Sequence, residues 1–265
     1  MTGLRAAVGQ YAATDDVAAN AATAADLVAR GARAGARLVL LPEYAQAWAP
    51  RLRAELGSGH TAFVEALTDA AREHQVWVVA GTLEPAGERL RNVAVAIDPD
   101  GRRRGAYVKV HLFDAFGVRE SDVLDAGASD AAPVVIDVDG WHVGLATCYD
   151  LRFPETFRRL VDAGAQVLAV GAAWAAGPGK AEQLEVLARA RALENTGFLL
   201  LASQSGQGRT GRSAGVGPLG EVLALAGSEP DLLVVDLSRD RLDEVRAMVP
   251  SLRHRRYAVV PNLTT

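Results

Sequence analysis

The sequence predicts an α/β protein in which mixed sheets pack face to face with helices outside them. Three observations lead there. Short, nearly all-apolar runs such as RLVLL at residues 37–41 suit strands covered on both faces. Longer helical stretches alternate with those runs, the pattern that builds layered α/β folds. Hairpin signals break the alternation, most clearly Asp98-Pro99-Asp100-Gly101, so a pure βαβ barrel is not predicted.

The elements follow in order. Residues 4–8 open as a strand, and Asp15 and Asp16 are placed to cap a helix over 17–34 that Gly35 stops. Strand 37–41 ends at Pro42, and a helix over 61–74 leads to strand 76–80. Strands 92–97 and 105–110 flank the Asp98–Gly101 turn, and strands 134–138 and 142–147 flank Asp139-Gly140. A helix begins near Pro154, since proline is pre-shaped for a first helical turn. Strand 165–170, helix 180–195 and strand 197–202 come next. A last hairpin over 213–216 and 221–225, strand 232–236 and a closing helix over 239–248 complete the chain. There is no internal repeat or linker, and one domain over 1–265 is expected.

Composition narrows the function. Hydrophobic residues are 49% and charged residues 23%, an ordinary globular balance. A net charge of −4 with no basic block argues against nucleic acid as partner. One cysteine excludes an intramolecular disulfide, and no uncharged run has the length of a membrane span. The first ten residues lack the apolar core of a signal peptide, so a cytoplasmic location is expected. The five histidines show no metal-ligand spacing, and neither metal nor cofactor is expected.

Three residues draw attention for their chemistry. Cys148, the only thiol, directly follows strand 142–147 and precedes a helix start. A side chain at such a turn is exposed at the sheet edge, beside N–H groups that lower a thiol pKa or hold an oxyanion. Its position fits equally a buried structural thiol. Glu43 lies just past a buried strand, where α/β enzymes place catalytic groups, and a solvated loop glutamate is the plainer alternative. Lys109 sits in an apolar strand between Val108 and Val110. Alternation alone would turn it outward, whereas an inward lysine would stabilise a thiolate or oxyanion.

Together, LLPEY (40–44), YVKVHLFD (107–114) and CYDLRFPE (148–155) resemble the nitrilase-like carbon–nitrogen hydrolase superfamily. The resemblance extends over nearly the whole chain. It implies a four-layer α-β-β-α sandwich and a glutamate, lysine and cysteine acting together on a C–N bond. By that resemblance Cys148 is the nucleophile, Glu43 the general base, and Lys109 the stabiliser of the tetrahedral oxyanion with help from the N–H of Tyr149. Glu120 matches a second glutamate near the lysine. Trp174 is expected either to wall the substrate pocket or to pack the core.

RARALEN and VGPLGEVLA add a likeness to the omega-amidase and deaminated-glutathione amidase branch, which implies a small amide that also carries a carboxylate. The chain departs from that branch in residues 172–185 (AAWAAGPGKAEQLE) and at Gly211-Arg212-Ser213. Lys180, Arg209 and Arg212 are candidates to meet such a carboxylate. Arg152 and Glu155 are read as structural pairs behind the nucleophile, Asp150 as a cap of the following helix, and 206–208 as a turn. The resemblance also implies a homodimer or larger even assembly, through the apolar faces of 153–161 and 184–193. Rival readings are an N-carbamoyl hydrolase or aliphatic amidase of the same fold, a Cys–His hydrolase using His111 or His142, and a non-catalytic scaffold.

Overall fold

Local signals act largely where the sequence puts them. In the computed structural model, which describes residues 3–263, β1 (Gly3–Gln10) leads into α1 (Val17–Arg33). The Asp16 carboxylate caps α1 by accepting from the N–H of Ala19 at 3.0 Å. The chain continues through β2 (Leu38–Leu40), α2 (His60–His74), β3 (Trp77–Ala86), β4 (Arg89–Ile97) and β5 (Arg103–Val108). Two short strands, β6 (Asp114–Ala115) and β7 (Val118–Arg119), precede β8 (Val135–Val138) and β9 (Trp141–Thr147). Asp139 and Gly140 between these last two both have positive φ, as a tight two-residue hairpin turn requires. Then come α3 (Pro154–Asp162), β10 (Val167–Ala172), α4 (Lys180–Glu194) and β11 (Phe198–Ser203). β12 (Ala214–Val216), β13 (Val222–Leu225), β14 (Asp231–Ser238), α5 (Arg239–Met248) and α6 (Ser251–His254) follow.

Two six-stranded sheets share one plan, ordered β14-β1-β2-β3-β4-β5 and β8-β9-β10-β11-β12-β13. In each, three parallel strands lie between antiparallel flanks. α1 and α2 cross over the first parallel triplet, α3 and α4 the second. The sequence carries no matching repeat, so the duplication is one of topology.

Leu38, Leu40 and Val79 of one sheet meet Leu145, Ala169 and Leu200 of the other in a common apolar layer. Leu27, Val28, Phe63 and Leu67 pack α1 and α2 on the outer face of the first sheet. Phe157, Leu160, Leu184 and Ala188 pack α3 and α4 on the second. The architecture is therefore the expected α-β-β-α sandwich. The apolar positions of α3 and α4 that sequence assigned to an interface thus lie largely in the chain's own core, leaving Val186 and Leu193 outward.

Three expectations are corrected. β3 does not stop at residue 80 but runs to Ala86 and turns at Gly87 into β4; Gly, Glu and Pro in its second half mask a strand that the partner's ladder sustains. β5 ends at Val108, so Lys109 lies one residue beyond it and strand alternation does not govern its direction. Asp150 does not cap α3, whose Ncap position, Phe153, has no side-chain cap. Its carboxylate accepts instead from the N–H of Thr147 at 2.8 Å, bracing the short 3-10 turn Cys148–Arg152.

Candidate active site

The carboxyl ends of both parallel triplets point to one place. Cys148 directly follows β9, Ala173 follows β10 and Gln204 follows β11, while Glu43 lies three residues past β2. Lys109 arrives from the end of β5. Such edges, where strands release the chain and backbone groups stand unpaired, are where α/β folds build sites.

Close packing fixes Glu43. Gly81 of β3 and Gly171 of β10 face its backbone from the two sheets. A methyl at Gly81 would lie 2.5 Å from the Glu43 Cα, and one at Gly171 would lie 2.9 Å from the Glu43 N. Gln204 holds the same segment by donating to the carbonyls of Glu43 at 2.8 Å and Tyr44 at 3.2 Å. The Glu43 carboxylate accepts from Asn92 at 2.8 Å and Lys109 Nζ at 2.9 Å through Oε1, and from the N–H of Ala173 at 2.8 Å through Oε2.

Lys109 is fully buried, and two carboxylates hold it. Besides Glu43, Nζ donates to Glu120 Oε2 at 2.8 Å and Oε1 at 3.1 Å. Glu120 is itself anchored by the Tyr44 hydroxyl at 2.6 Å and the N–H of Phe113 at 2.7 Å. Burial alone would lower the Lys109 pKa, but Glu120 and then Glu43 outweigh it and raise it well above the usual lysine value. Glu120 is the mirror case. Burial would raise its pKa, and Lys109, with the bonds from Tyr44 and Phe113, holds it below the usual carboxylate range. The ammonium stays charged between its acids.

Cys148 corrects the sequence in two respects. Its side chain is not exposed at the sheet edge but buried, with 8% of the residue accessible. Nor is its pKa lowered: burial pushes the thiol well above its ordinary value, the Glu43 charge pushes it further, and Lys109 only partly opposes them. The Glu43 carboxylate is thus close enough to the thiol for its charge to raise the thiol pKa. Cys148 also has φ +46°, a left-handed backbone unusual for a side-chain-bearing residue and typical of nucleophile turns. Below it, Asp150 accepts from the Tyr107 hydroxyl at 2.8 Å and lies 2.7 Å from His111 Nδ1. The His111 ring stacks on Phe153 at 3.8 Å.

These groups open into a cavity of about 890 Å³ lined by Glu43, Glu120, Cys148, Tyr149 and Trp174 among others. Neither His111 nor His142 lines it, which speaks against the Cys–His alternative. Tyr149 and Trp174 stand at its wall, Trp174 also belongs to the core under the second sheet, and its indole donates to the Lys180 carbonyl at 3.0 Å. Lys180 and Arg209 also reach the cavity. Arg212 does not, since its guanidinium pairs with Glu185. Arg152, read as structural, lines the cavity, bonds Gln183 at 2.7 Å and lies over Trp174. Glu155 is exposed and outside it.

Sequence reasoning missed Asn92, Tyr44, Gln204 and the Ala173 N–H. Only Asn92 carried a signal, a buried amide at the head of the apolar run NVAVAI. The others act through backbone position or distant pairing, which local pattern does not encode. Among the described residues no group of three or more His, Cys, Asp or Glu could hold a metal ion, and no helix is long and apolar enough to cross a membrane.

A buried thiol, carboxylate and ammonium at the meeting edges of a four-layer sandwich define the nitrilase-like class of hydrolase. The carbon-nitrogen hydrolase model matches residues 5–247, and the chain belongs to that family of enzymes. A hydrolase of Mycobacterium tuberculosis is 38% identical over 95% of both chains. The deaminated glutathione amidase of Escherichia coli O157:H7 is 34% identical over 95% of this chain and 97% of its own. Among solved structures, a mutant amidase from Nesterenkonia sp. AN1 superposes with a TM-score of 0.81 at 30% identity, covering 96% of this chain and 94% of that one. That structure carries the acetamide moiety of fluoroacetamide, added covalently at the active-site cysteine.

Proposed function

We propose that this chain is a thiol amidase that hydrolyses the terminal amide of a small, carboxylate-bearing substrate and releases ammonia through a thioester on Cys148. One observation carries the reading: Glu43, buried beside the cavity, bonds the Lys109 ammonium and acts through its charge on the Cys148 thiol. The named amide substrate of the E. coli relative and the cysteine adduct of the Nesterenkonia amidase support it.

The geometry suits the chemistry step by step. Glu43 takes the thiol proton, and the sulfur attacks the amide carbon. Negative charge that develops on the carbonyl oxygen meets the Lys109 charge and the N–H of Tyr149, the second residue of the 3-10 turn. Lys109 acts chiefly as a fixed charge, because both carboxylates already take its donors. The tetrahedral species collapses as Glu43 returns the proton to the nitrogen, and ammonia leaves. Water, deprotonated by the same carboxylate, then cleaves the thioester and frees the acid. Glu120 keeps Lys109 in place and touches no reacting atom in this scheme.

The test is ammonia release by wild type and Cys148→Ala on alpha-ketoglutaramate, succinamate, deaminated glutathione, butyramide and an N-carbamoyl amino acid, the last also assayed for carbon dioxide. Activity on a carboxylate-bearing amide that vanishes in the variant supports the reading. Turnover of the carbamoyl compound alone reassigns the substrate, and activity that survives Cys148→Ala refutes the mechanism. We further propose that residues 1–265 form one domain, the inter-sheet core being common to both halves, and that the chain pairs as a homodimer or larger even assembly. A sedimentation run that shows only monomer refutes the pairing.

A further inference from the structure

Arg209 differs from the other cations of the cavity, of which Arg51 is exposed. Arg119 pairs with Asp122 at 3.2 Å, Arg152 bonds Gln183, and Lys180 Nζ lies 3.5 Å from the centre of the Phe116 ring. The Arg209 guanidinium lies 4.1 Å from the centre of the Trp48 ring and donates to a single acceptor, the carbonyl of Gly208, at 3.0 Å. Its Nε is buried with no hydrogen-bond partner, and no carboxylate pairs with it among the described residues. A partly buried cation without an ion-pair partner is costly, and burial lowers its pKa while the charges of Cys148 and Glu43 in the cavity partly oppose that.

The position is also a fixed one. The N–H of Arg209 donates to the Gly206 carbonyl at 3.1 Å, and the N–H groups flanking the cavity bind the loop to its neighbour. Ala176 N donates to Gly208 O at 3.0 Å and Thr210 N to Trp174 O at 3.0 Å. These bonds tie Arg209 to the segment after β10 whose Ala173 N–H holds Glu43. Trp48 lies against the guanidinium, and both side chains line the cavity. A planar guanidinium held at the cavity wall matches a carboxylate by shape and charge.

We propose that Arg209 binds the substrate's carboxylate, remote from the scissile amide, and so selects anionic amides over neutral ones of the same size. This rests on the amidase reading above and adds to it the residue that sets specificity. Of the other cations named from sequence, Arg212 is spent on Glu185 outside the cavity, and Lys180 rests on an exposed aromatic at the rim.

The experiment measures kcat/KM for succinamate and alpha-ketoglutaramate against butyramide in wild type, Arg209→Met, Arg209→Lys and Arg212→Met. Alongside, succinamate binding to Cys148→Ala is measured with and without Arg209→Met, so that affinity is read apart from turnover. Loss of a charge-assisted bidentate contact is expected to lower the anionic-to-neutral ratio about 100-fold in Arg209→Met. Arg209→Lys should recover part of it, Arg212→Met should leave it in place, and succinamate affinity should fall in parallel. A ratio within about threefold of wild type in both Arg209 variants overturns the proposal. Wild type that cleaves only neutral amides overturns it too, while the amidase reading stands. Wild type and Cys148→Ala equally inert toward every amide reject the amidase reading itself. Thermal melts confirm folding, and a Met variant that fails to fold leaves the decision to Arg209→Lys.

Discussion

Replacing Glu120 with Gln separates the charge that holds Lys109 from the shape that surrounds it. The Glu120 carboxylate accepts four contacts, from Tyr44 at 2.6 Å, Phe113 N at 2.7 Å and Lys109 Nζ at 2.8 and 3.1 Å. All of these partners are donors. An amide has one acceptor oxygen, so in Glu120→Gln either orientation of the new side chain turns its NH₂ against donors and loses the contacts at that end. Two bonds to a charged group, at about 1.5–3 kcal/mol each, and the cost of breaking a buried pair, about 3–5 kcal/mol, converge on a loss of about 3–5 kcal/mol. For 265 residues this lowers Tm by about 5–9 °C.

Urea unfolding of wild type and variant across pH checks both size and sign. The wild-type Glu120 pKa is depressed in the fold, so its stabilisation is complete above the unfolded value near 4.5 and is lost as pH falls through the folded value. The gap between the proteins should therefore stay level at neutral pH and narrow only on acidification below that value. Gln does not titrate, which makes the narrowing a wild-type property. A loss under about 1 kcal/mol, or a gap that widens in acid, would refute the argument that Glu120 is an ionised anchor.

Further outcomes follow from the same geometry. Glu43→Gln removes a charge that raises the Cys148 pKa, so thiolate absorbance should appear at lower pH while amide turnover falls by at least about 100-fold; a thiol pKa that does not fall speaks against direct contact between them. Gly81→Ala forces a methyl to within 2.5 Å of the Glu43 Cα and 2.7 Å of the Pro42 carbonyl. It should cost about 1–3 kcal/mol and about 100-fold in kcat, measured by unfolding and steady-state kinetics. Asn92→Leu deletes one donor to Glu43 Oε1, leaving Lys109 on that oxygen, and should lower kcat about tenfold; an unchanged rate would show that the amide only fills space.

Much of this molecule is legible along the chain because its causes are local. The helix cap at Asp16, the tight turn at Asp139-Gly140 and the all-apolar strands act within a few residues, so pattern and propensity reveal them. The motifs around Glu43, Lys109 and Cys148 are local too, and the sequence by itself determined their family and the sandwich they imply. The tertiary structure decided what those residues experience. Lys109 reads as an outward strand residue until β5 stops at Val108 and Glu120 and Glu43 close over its ammonium from separate segments. Cys148 reads from sequence equally as an exposed, acidic thiol or a buried structural one; the second sheet's helices bury it, and a carboxylate beside it raises its pKa. Arg209 and Arg212 are near neighbours of one type in sequence, yet Glu185 pairs with one while among the described residues no carboxylate forms an ion pair with the other. Propensity acts over a few bonds, whereas desolvation and charge pairing depend on groups that only the folded chain brings together.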